Sequence, residues 1–500
     1  MLPYGLDEPF GRLLVSGCDQ RTIPGDNGLN PYGASILPRR AVPLGSCSCS
    51  SPSLRATRAA RNALDKLRRS SNRDRTISQL QQSIRAKLHK TLQLSPETEI
   101  ALTPSGTDLE MLCVAIASRG EDRPIVNLIV GPGEVGSGTC QAAAVRHYNP
   151  HLPRGGQAEI GKPVNDALAE RVTLQKIEIR NPAGERLSPI EIDSAVTDAV
   201  IDAASQNARS IVHLVAHSKT GIQVPSLSLL DRLTSTMKDD VVGIVDAAQG
   251  RLAPEAYSAA LDRGMMVSLT GSKFFGGPAF AGALLVPPAL SPTDTDLQSL
   301  PPGFEDYFCL RDLPETWFPS RAADDWLNTG SLLRWVACTT EMECYFSIDR
   351  RVRELIAGTF ARAIMERFAD LPNVRVLEPF IANASDPTLA SIVKTPTVFS
   401  IELTNSSGTA LDHDALKILH HQLSTGAAGT RFHLGQPVKI GAQRHVLRIA
   451  LGGPLVIDFA TDQSRGTKLR DRLGALEQMI GQLGTEIQAL AESADVLQEN

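Results

Sequence analysis

Between about residue 97 and residue 287, short apolar runs alternate with segments of helix length, and this alternation constrains the fold more than any other feature. The seven runs are EIALTPS, PIVNLIVG, VTLQKIEI, SIVHLVAH, VVGIVDAA, MVSLTG and AGALLVP. Apolar strands separated by helices are typical of a parallel sheet that is covered on both faces. We therefore predict an α/β fold with a mainly parallel, seven-stranded sheet flanked by helices.

The segments around this region predict the domain organisation. Residues 1–55 are rich in Gly, Pro, Asn and Ser, which indicates an extended N-terminal arm. We predict a large α/β domain over 56–330, a smaller α+β domain over 331–460 and a C-terminal helical segment over 461–500. The stretch LLRWVACTTEMECYFSIDRRVRELIAGTFARAIMERFADL predicts one long helix, and the C-terminal helix is expected to break or bend near its glycines.

Charge and composition argue against several classes of partner, although a net charge does not exclude a local basic patch. The net charge of −5 gives no general attraction to nucleic acid or to an anionic membrane. The chain has no apolar run of about 18 residues, and its N-terminus lacks the pattern of a secretory signal. The cysteines are scattered without zinc-site spacing, so no metal is predicted. We expect a cytoplasmic protein that binds a small molecule.

Polar residues follow the first predicted strand, where Ser105, Gly106 and Thr107 precede a helix. Free backbone N–H groups, hydroxyls and the positive end of a helix dipole together suit a single phosphate group. The alternative is that Ser105 or Thr107 serves only as a helix N-cap.

Two further strand ends carry ionisable residues. Asp246 lies near the end of VVGIVDAA, and Gln249 follows that run directly. Lys273 follows the next strand, in LTGSKFFGGP. A buried carboxylate could be an N-cap or a salt-bridge partner, or it could hold a protonated pyridine nitrogen. Lys273 could reach solvent, or it could be a nucleophilic amine that forms a Schiff base. The turn after the first strand could bind a phosphate, Asp246 could pair with a pyridinium nitrogen, and Lys273 could form a Schiff base. Together, and in this order along the chain, these features predict a site for pyridoxal 5'-phosphate.

The motifs PSGTD, VDAAQG and LTGSKFFGGP resemble those of fold-type I pyridoxal-phosphate enzymes, most closely the class V aminotransferase and cysteine desulfurase group. The resemblance covers about residues 45–460. It implies that Lys273 forms the Schiff base, that Asp246 pairs with the pyridine nitrogen and that Gln249 approaches the phenolic oxygen. The phosphate would be held by Ser105, Gly106, Thr107, Thr270 and Ser272.

The same resemblance implies further contacts. Arg448, in VLRIALG, matches the arginine that takes the substrate carboxylate, although alone it could be a surface residue of an edge strand. Ser218 and Lys219 lie where the family has a turn near the cofactor. Thr329 would reach the phosphate of a partner subunit, which implies a homodimer with shared active sites. We expect the arm and the small domain to line the substrate pocket.

Three absences in the sequence bear on the expected function. GPGEVGSGT contains no aromatic or histidine ring to cover the cofactor, so Val135 or a residue from elsewhere must do so. The same segment lacks the lysine of a nucleotide-binding P-loop. The segment before Arg448 lacks a cysteine, which argues against a desulfurase. We expect an aminotransferase, with a lyase, decarboxylase or β/γ-substitution enzyme of a specialised pathway as the alternative.

Overall fold

A computed structural model describes residues 6–118, 121–292, 300–317, 326–380, 389–427, 429–461 and 468–494. The strands, in chain order, are β1 (Val42–Leu44), β2 (Glu99–Thr103), β3 (Ile125–Val130), β4 (Val172–Ile177), β5 (Arg209–Ala216), β6 (Gln223–Val224), β7 (Val241–Ala247), β8 (Met266–Thr270), β9 (Gly282–Val286), β10 (Val374–Val376), β11 (Val398–Leu403), β12 (Phe432–Lys439) and β13 (His445–Ala450).

The α-helices are α1 (Phe10–Val15), α2 (Leu54–Arg69), α3 (Arg73–Thr91), α4 (Leu109–Ser118), α5 (Thr139–Ala143), α6 (Asp166–Arg171), α7 (Pro189–Ser205), α8 (Leu227–Thr236), α9 (Pro254–Asp262), α10 (Thr329–Phe346), α11 (Arg350–Ala369), α12 (His413–Thr425), α13 (Gly453–Thr461) and α14 (Leu469–Glu492). Short 3-10 helices occur at Gln20–Thr22, Pro288–Leu290, Phe304–Asp306, Leu310–Asp312 and Glu315–Trp317.

The large sheet has the strand order β2-β9-β8-β7-β5-β3-β4, and the two-residue strand β6 pairs with β5. The neighbouring pairs from β4 to β8 are parallel, and β9 is antiparallel to both β8 and β2. The seven apolar runs of the sequence form the seven main strands, so the predicted α/β architecture is confirmed. Because β2, β3, β5, β7 and β8 run in the same direction, the residues that follow them meet at one edge of the sheet.

A second, five-stranded sheet has the order β1-β12-β13-β11-β10. Four of these strands come from the region predicted as the small domain. The fifth, β1, comes from the N-terminal arm and pairs in parallel with β12, with Val42 opposite Phe432. The arm therefore contains regular structure and adds a strand to the second sheet.

The long helix predicted after residue 330 is two helices, so that prediction is wrong. Helix α10 ends at Phe346 and α11 begins at Arg350. Asp349 lies between them as the N-cap of α11, and its carboxylate accepts a hydrogen bond from the backbone N–H of Arg351. The apolar spacing continues across the break and hides it, whereas the capping side chain stabilises a new helix start.

The C-terminal helix α14 is continuous from Leu469 to Glu492, so the predicted break near its glycines is also wrong. A Cβ atom on Gly484 would lie 3.2 Å from a ring atom of Phe368 and 3.0 Å from Leu371. The absence of a side chain thus allows close packing against α11, and this contact offsets the low helix propensity of glycine.

Within the described ranges, none of the helices has both the length and the apolar character needed to cross a bilayer. Among the same residues, no group of three or more His, Cys, Asp or Glu side chains is placed to hold a metal ion.

Candidate active site

A cavity of about 480 Å³ opens at the carboxyl edge of the large sheet, beside the second sheet. Its walls include every site residue predicted from the sequence except Thr329: Ser105, Gly106, Thr107, Ser218, Asp246, Gln249, Thr270, Ser272, Lys273 and Arg448. Val135 and Lys219 also line it. The fold thus brings together side chains that are more than 300 residues apart in the chain.

The segment from Ser105 to Asp108 forms a tight turn between β2 and α4. The Ser105 hydroxyl accepts a hydrogen bond of 3.1 Å from the Thr107 backbone N–H and donates one of 2.8 Å to Asp108. Gly106 faces Thr270, whose Cγ2 atom would lie 2.7 Å from an added Cβ. The absence of a side chain at Gly106 therefore allows the turn to pack closely against Thr270.

Asp246 lies near the end of β7, and its Oδ1 atom accepts hydrogen bonds of 3.0 Å from the Ala248 N–H and the Ser268 hydroxyl. The next helix, α9, begins only at Pro254, so Asp246 is not its N-cap. No ion pair of Asp246 with a basic side chain occurs in the described ranges. The carboxylate is oriented by its neighbours while remaining available to a cationic group in the cavity.

Behind Asp246 lies a second buried carboxyl group. Glu110 on α4 is 4% exposed, and burial followed by the charge of Asp246 raises its pKa well above the ordinary value. Its Oε2 atom lies 3.6 Å from Nε2 of His213, and burial lowers the pKa of that histidine to about 4. His213 in turn contacts Oδ1 of Asn127 at 2.9 Å. Burial thus disfavours the charged form of both Glu110 and His213.

Lys273 follows β8 and points its amine into the cavity. Burial lowers its pKa below the usual lysine value; Asp246 opposes this change, whereas Arg448 reinforces it. The described part of the chain offers the amine no hydrogen bond or ion pair. A lysine in this state has a larger neutral, nucleophilic fraction than one in water.

Lys219 is a second amine in the same cavity. Burial, followed by the charges of Arg448 and Lys273, lowers its pKa to about 8. Its Nζ atom donates a hydrogen bond of 3.2 Å to the carbonyl oxygen of Gly133. Unlike Lys273, it is therefore already held by the protein.

Arg448 lies on β13, which is between β12 and β11, and is only 2% exposed. The alternative of a surface residue on an edge strand is thus wrong. Its guanidinium donates hydrogen bonds to the carbonyl oxygens of Gln436 (2.9 Å) and Lys219 (3.2 Å) and to the Ser48 hydroxyl (2.9 Å). No acidic side chain pairs with it within the described ranges. A buried, unneutralised guanidinium at a cavity wall suits a ligand carboxylate.

Sequence reasoning expected the arm to line the pocket but named none of its residues. The structure places Arg21, Tyr32, Cys47 and Ser48 in the cavity wall. Cys47 packs beside Arg448: an added Cβ on Gly435 would lie 2.3 Å from the Cys47 sulfur and 3.1 Å from Arg448 Cβ. A thiol therefore lies next to the predicted carboxylate site, although the segment before Arg448 contains none. The cluster GSCSCSSPS is the sequence signal that was available.

The turn after β3 is held by Glu134, another residue that sequence reasoning missed. Its carboxylate forms an ion pair of 2.7 Å with Arg180 and accepts hydrogen bonds from the hydroxyls of Ser218 and Thr220. Burial alone would raise the Glu134 pKa, but Arg180 and the hydroxyl donors hold it below its ordinary value. Ser218 is thus oriented by Glu134, which links two strand ends at the cavity wall.

Thr329 lies at the beginning of α10, outside the cavity of its own chain. The N-cap of this helix is Asn328, whose side chain donates a hydrogen bond of 2.8 Å to the carbonyl oxygen of Gly17. The contact of Thr329 with a partner subunit stays a prediction.

The residues around the cavity fit pyridoxal 5'-phosphate. Five buried polar atoms of the wall lack hydrogen-bond partners among the described residues: Oγ of Ser272, Oε1 of Gln249, Oε2 of Glu110, Nδ1 of His217 and Nδ1 of His413. Buried polar atoms without partners are costly, so such atoms indicate places where a ligand supplies the missing bond. Gly106 and Lys273 line the same cavity.

Solved structures share this fold. The chain matches the cystine C–S lyase C-DES, solved with its reaction product cysteine persulfide, with a TM-score of 0.53 and 14% identity over 88% of this chain and 98% of that one. It matches Catharanthus roseus tryptophan decarboxylase in complex with L-tryptophan with a TM-score of 0.51 and 12% identity over 91% and 85%. No protein-family model and no curated protein sequence matches the chain.

The strand order and these matches agree with the fold that the motifs predicted. The chain has the architecture of fold-type I pyridoxal-phosphate enzymes.

Proposed function

We propose that this chain is a pyridoxal-phosphate-dependent enzyme that acts on an α-amino acid, and that transamination is its reaction. The observation that carries the proposal is the convergence of Lys273, Asp246 and Arg448 on one cavity. The three residues provide an amine, an anion and an unpaired cation, which match the aldehyde, the ring nitrogen and the substrate carboxylate.

When bound, pyridoxal 5'-phosphate supplies an aldehyde and a protonated ring that accepts electrons from a breaking bond at the substrate Cα. Asp246 would hold the proton on the ring nitrogen, and Gln249 would donate to the phenolic oxygen. The phosphate would bind to the turn formed by Ser105, Gly106 and Thr107, and to Thr270 and Ser272.

Lys273 has two roles in this proposal. It would hold the cofactor through its amine, and the free amine would move a proton at the substrate Cα. Its lowered pKa suits both roles, because a neutral amine is needed to attack a carbonyl and to accept a proton.

Arg448 would bind the substrate carboxylate and so orient the Cα–H bond. An ion pair with a buried guanidinium stabilises that carboxylate in the ground state, which opposes its loss as CO2. Reactions that keep the carboxylate are therefore favoured over decarboxylation by this residue.

The second candidate is a lyase or β/γ-substitution enzyme, and Cys47 is the observation that favours it. This thiol lines the cavity close to Arg448. A thiolate at this wall could attack the sulfur atom of a substrate C–S bond, forming an S–S bond while the electron pair of the broken C–S bond leaves on carbon. One of the similar structures is also a C–S lyase.

We also propose that the chain forms a homodimer in which Thr329 contacts the partner's phosphate site. Light scattering of the purified protein tests the dimer. Thr329→Ala should weaken cofactor binding without changing the subunit number; an unchanged affinity would contradict this role for Thr329.

Absorbance spectroscopy tests the proposed function. The purified protein, reconstituted with pyridoxal 5'-phosphate, is scanned from about 300 to 550 nm before and after each of the proteinogenic amino acids is added. Transamination predicts a visible band that is lost with one amino acid and returns with a keto acid. A persistent band at longer wavelength without keto-acid release would favour the second candidate, and a failure to bind the cofactor would refute both.

A further inference from the structure

We propose that Arg21 of the N-terminal arm binds the cofactor phosphate, so that the arm recognises the phosphate in addition to covering the site. This inference rests on the proposed function, because it assumes that pyridoxal 5'-phosphate binds in the cavity. Neither the sequence motifs nor the resemblance pointed to this residue.

Asp19 fixes the orientation of Arg21. Its two carboxylate oxygens accept hydrogen bonds from Nε (2.8 Å) and Nη2 (2.6 Å) of the guanidinium, and it also accepts one from the Arg21 backbone N–H. Asp19 is 1% exposed, and although burial would raise its pKa, Arg21 holds that pKa below the ordinary value. A two-point ion pair of this kind determines the direction in which the remaining N–H groups of the guanidinium point.

Those remaining N–H groups face the predicted phosphate turn. Nη1 and Nη2 lie 3.4 Å from the Thr107 hydroxyl, and Nη2 lies 3.5 Å from the Ser105 hydroxyl. These distances exceed the usual range of about 2.7 to 3.2 Å for N–H···O bonds. The contacts are therefore weak, and an oxyanion that bridges the guanidinium and the turn from the cavity side would make stronger ones.

Two aromatic rings restrict the guanidinium further. Its central carbon lies 4.9 Å from the ring centre of Phe280 and 5.3 Å from that of Tyr148. The Tyr148 hydroxyl is itself bound, donating at 2.6 Å to Asp108. Arg21 is thus held between rings, which limits the entropy that it would lose on binding an anion.

An independent observation also indicates a ligand at this place. Ser272 follows β8, lines the same cavity and is 1% exposed, and its hydroxyl has no hydrogen-bond partner among the described residues. The ten-residue helix α4 begins just beyond Thr107 and adds its N-terminal dipole. The cavity thus has three groups that bind phosphate in other proteins. They are the unpartnered Ser272 hydroxyl, the N-terminus of α4 and the oriented Arg21 guanidinium.

The competing interpretation is that Arg21 only anchors the arm. Arg39 provides the matched control, because it is another arginine of the arm and it anchors the arm by donating to the carbonyl oxygens of Gly33 and Ser424. It does not line the active-site cavity. A loss of arm docking should change the binding of any form of the cofactor, whereas loss of a phosphate contact should change only the phosphorylated form.

The experiment compares two ligands. Apoprotein is titrated with pyridoxal 5'-phosphate and with pyridoxal, which lacks the phosphate, and the visible absorbance gives an apparent Kd for each. Arg21→Gln should raise the Kd for pyridoxal 5'-phosphate by about 10- to 100-fold, because it removes hydrogen bonds to a charged group. The Kd for pyridoxal should stay within about twofold of the wild-type value. Arg39→Gln should change both values by the same factor or leave both unchanged.

Equal changes for the two ligands in Arg21→Gln, or no change in either, would overturn the proposal. Should this variant fail to fold, Arg21→Lys is measured instead; it keeps the charge but loses the planar fork, so the Kd for the phosphorylated ligand should still rise selectively. A wild-type protein that binds neither ligand would instead refute the proposed function, which separates the two failures.

Discussion

The Arg448 guanidinium donates a hydrogen bond of 2.9 Å to the Ser48 hydroxyl, and this bond connects the second sheet to the N-terminal arm. The same Ser48 oxygen accepts a hydrogen bond of 3.3 Å from the backbone N–H of Gln436. The arm is therefore part of the wall that holds the proposed carboxylate ligand, and the substrate pocket cannot be complete without it.

Replacement of the proposed anchoring lysine should remove the cofactor signal. Lys273→Ala, reconstituted with pyridoxal 5'-phosphate and freed of excess aldehyde, should show no visible band while its thermal unfolding stays within a few degrees of wild type. Lys219→Ala is the control, since this second cavity lysine is already bonded to Gly133 and should leave the band intact. Retention of the band in Lys273→Ala alone would refute the assignment.

A methyl group at Gly106 should reduce cofactor affinity. The Cβ atom of Gly106→Ala would lie 2.7 Å from Thr270 Cγ2, and such overpacking costs about 1 to 3 kcal/mol. We expect the apparent Kd for the cofactor to rise about tenfold, measured by absorbance titration.

The double variant Gly106→Ala/Thr270→Ser tests whether the clash with Thr270 causes that loss of affinity. Thr270→Ser removes Cγ2 but keeps the hydroxyl that donates to the Ala248 carbonyl oxygen at 2.6 Å. Thr270→Ser alone should bind nearly as wild type, and combined with Gly106→Ala it should restore most of the affinity. Absence of any recovery would mean that the loss has another origin than this clash.

Loss of the buried guanidinium should affect carboxylate substrates selectively. Arg448→Ala should reduce kcat/KM for the amino acid substrate because it removes an ion pair with the carboxylate. The expected loss of transition-state stabilisation is on the order of 2 to 4 kcal/mol. The corresponding amine without a carboxylate should be affected little. Arg444→Ala is the control, because Arg444 pairs with Glu402 outside the cavity. Equal kinetics of Arg448→Ala and wild type would place the carboxylate elsewhere.

The lowered pKa of Lys219 predicts a pH dependence of stability. Between about pH 8, its folded pKa, and its unfolded pKa near 10.4, the unfolded chain binds a proton that the folded chain does not. The free energy of unfolding contributed by this group therefore rises with pH across that window and is lost as pH falls through about 8.

Urea denaturation of the apoprotein at pH 7, 8, 9 and 10 tests this dependence. Lys219→Met should flatten the rise, and because it removes the cost of burying a charge, it should stabilise the protein most at pH 7. Identical slopes for wild type and variant would show that Lys219 has an ordinary pKa.

The motif residues of the site were predictable because each follows an apolar run. Asp246, Thr270 and Lys273 come at or just after strands whose pattern is evident, and parallel strands place their carboxyl ends at one edge. The two wrong helix predictions have a common cause, because Asp349 and Gly484 act through a cap and a packing contact that the apolar spacing does not report.

The sequence by itself determined the α/β architecture and predicted which strand ends line the cavity, since these depend on local apolar pattern and on residue order. Only the tertiary structure decided that the arm adds β1 to the second sheet and brings Arg21, Cys47 and Ser48 to the cavity. The arm has no periodicity from which its path could be read. Its position depends on contacts with residues far away in the chain, such as the bond between Ser48 and Arg448.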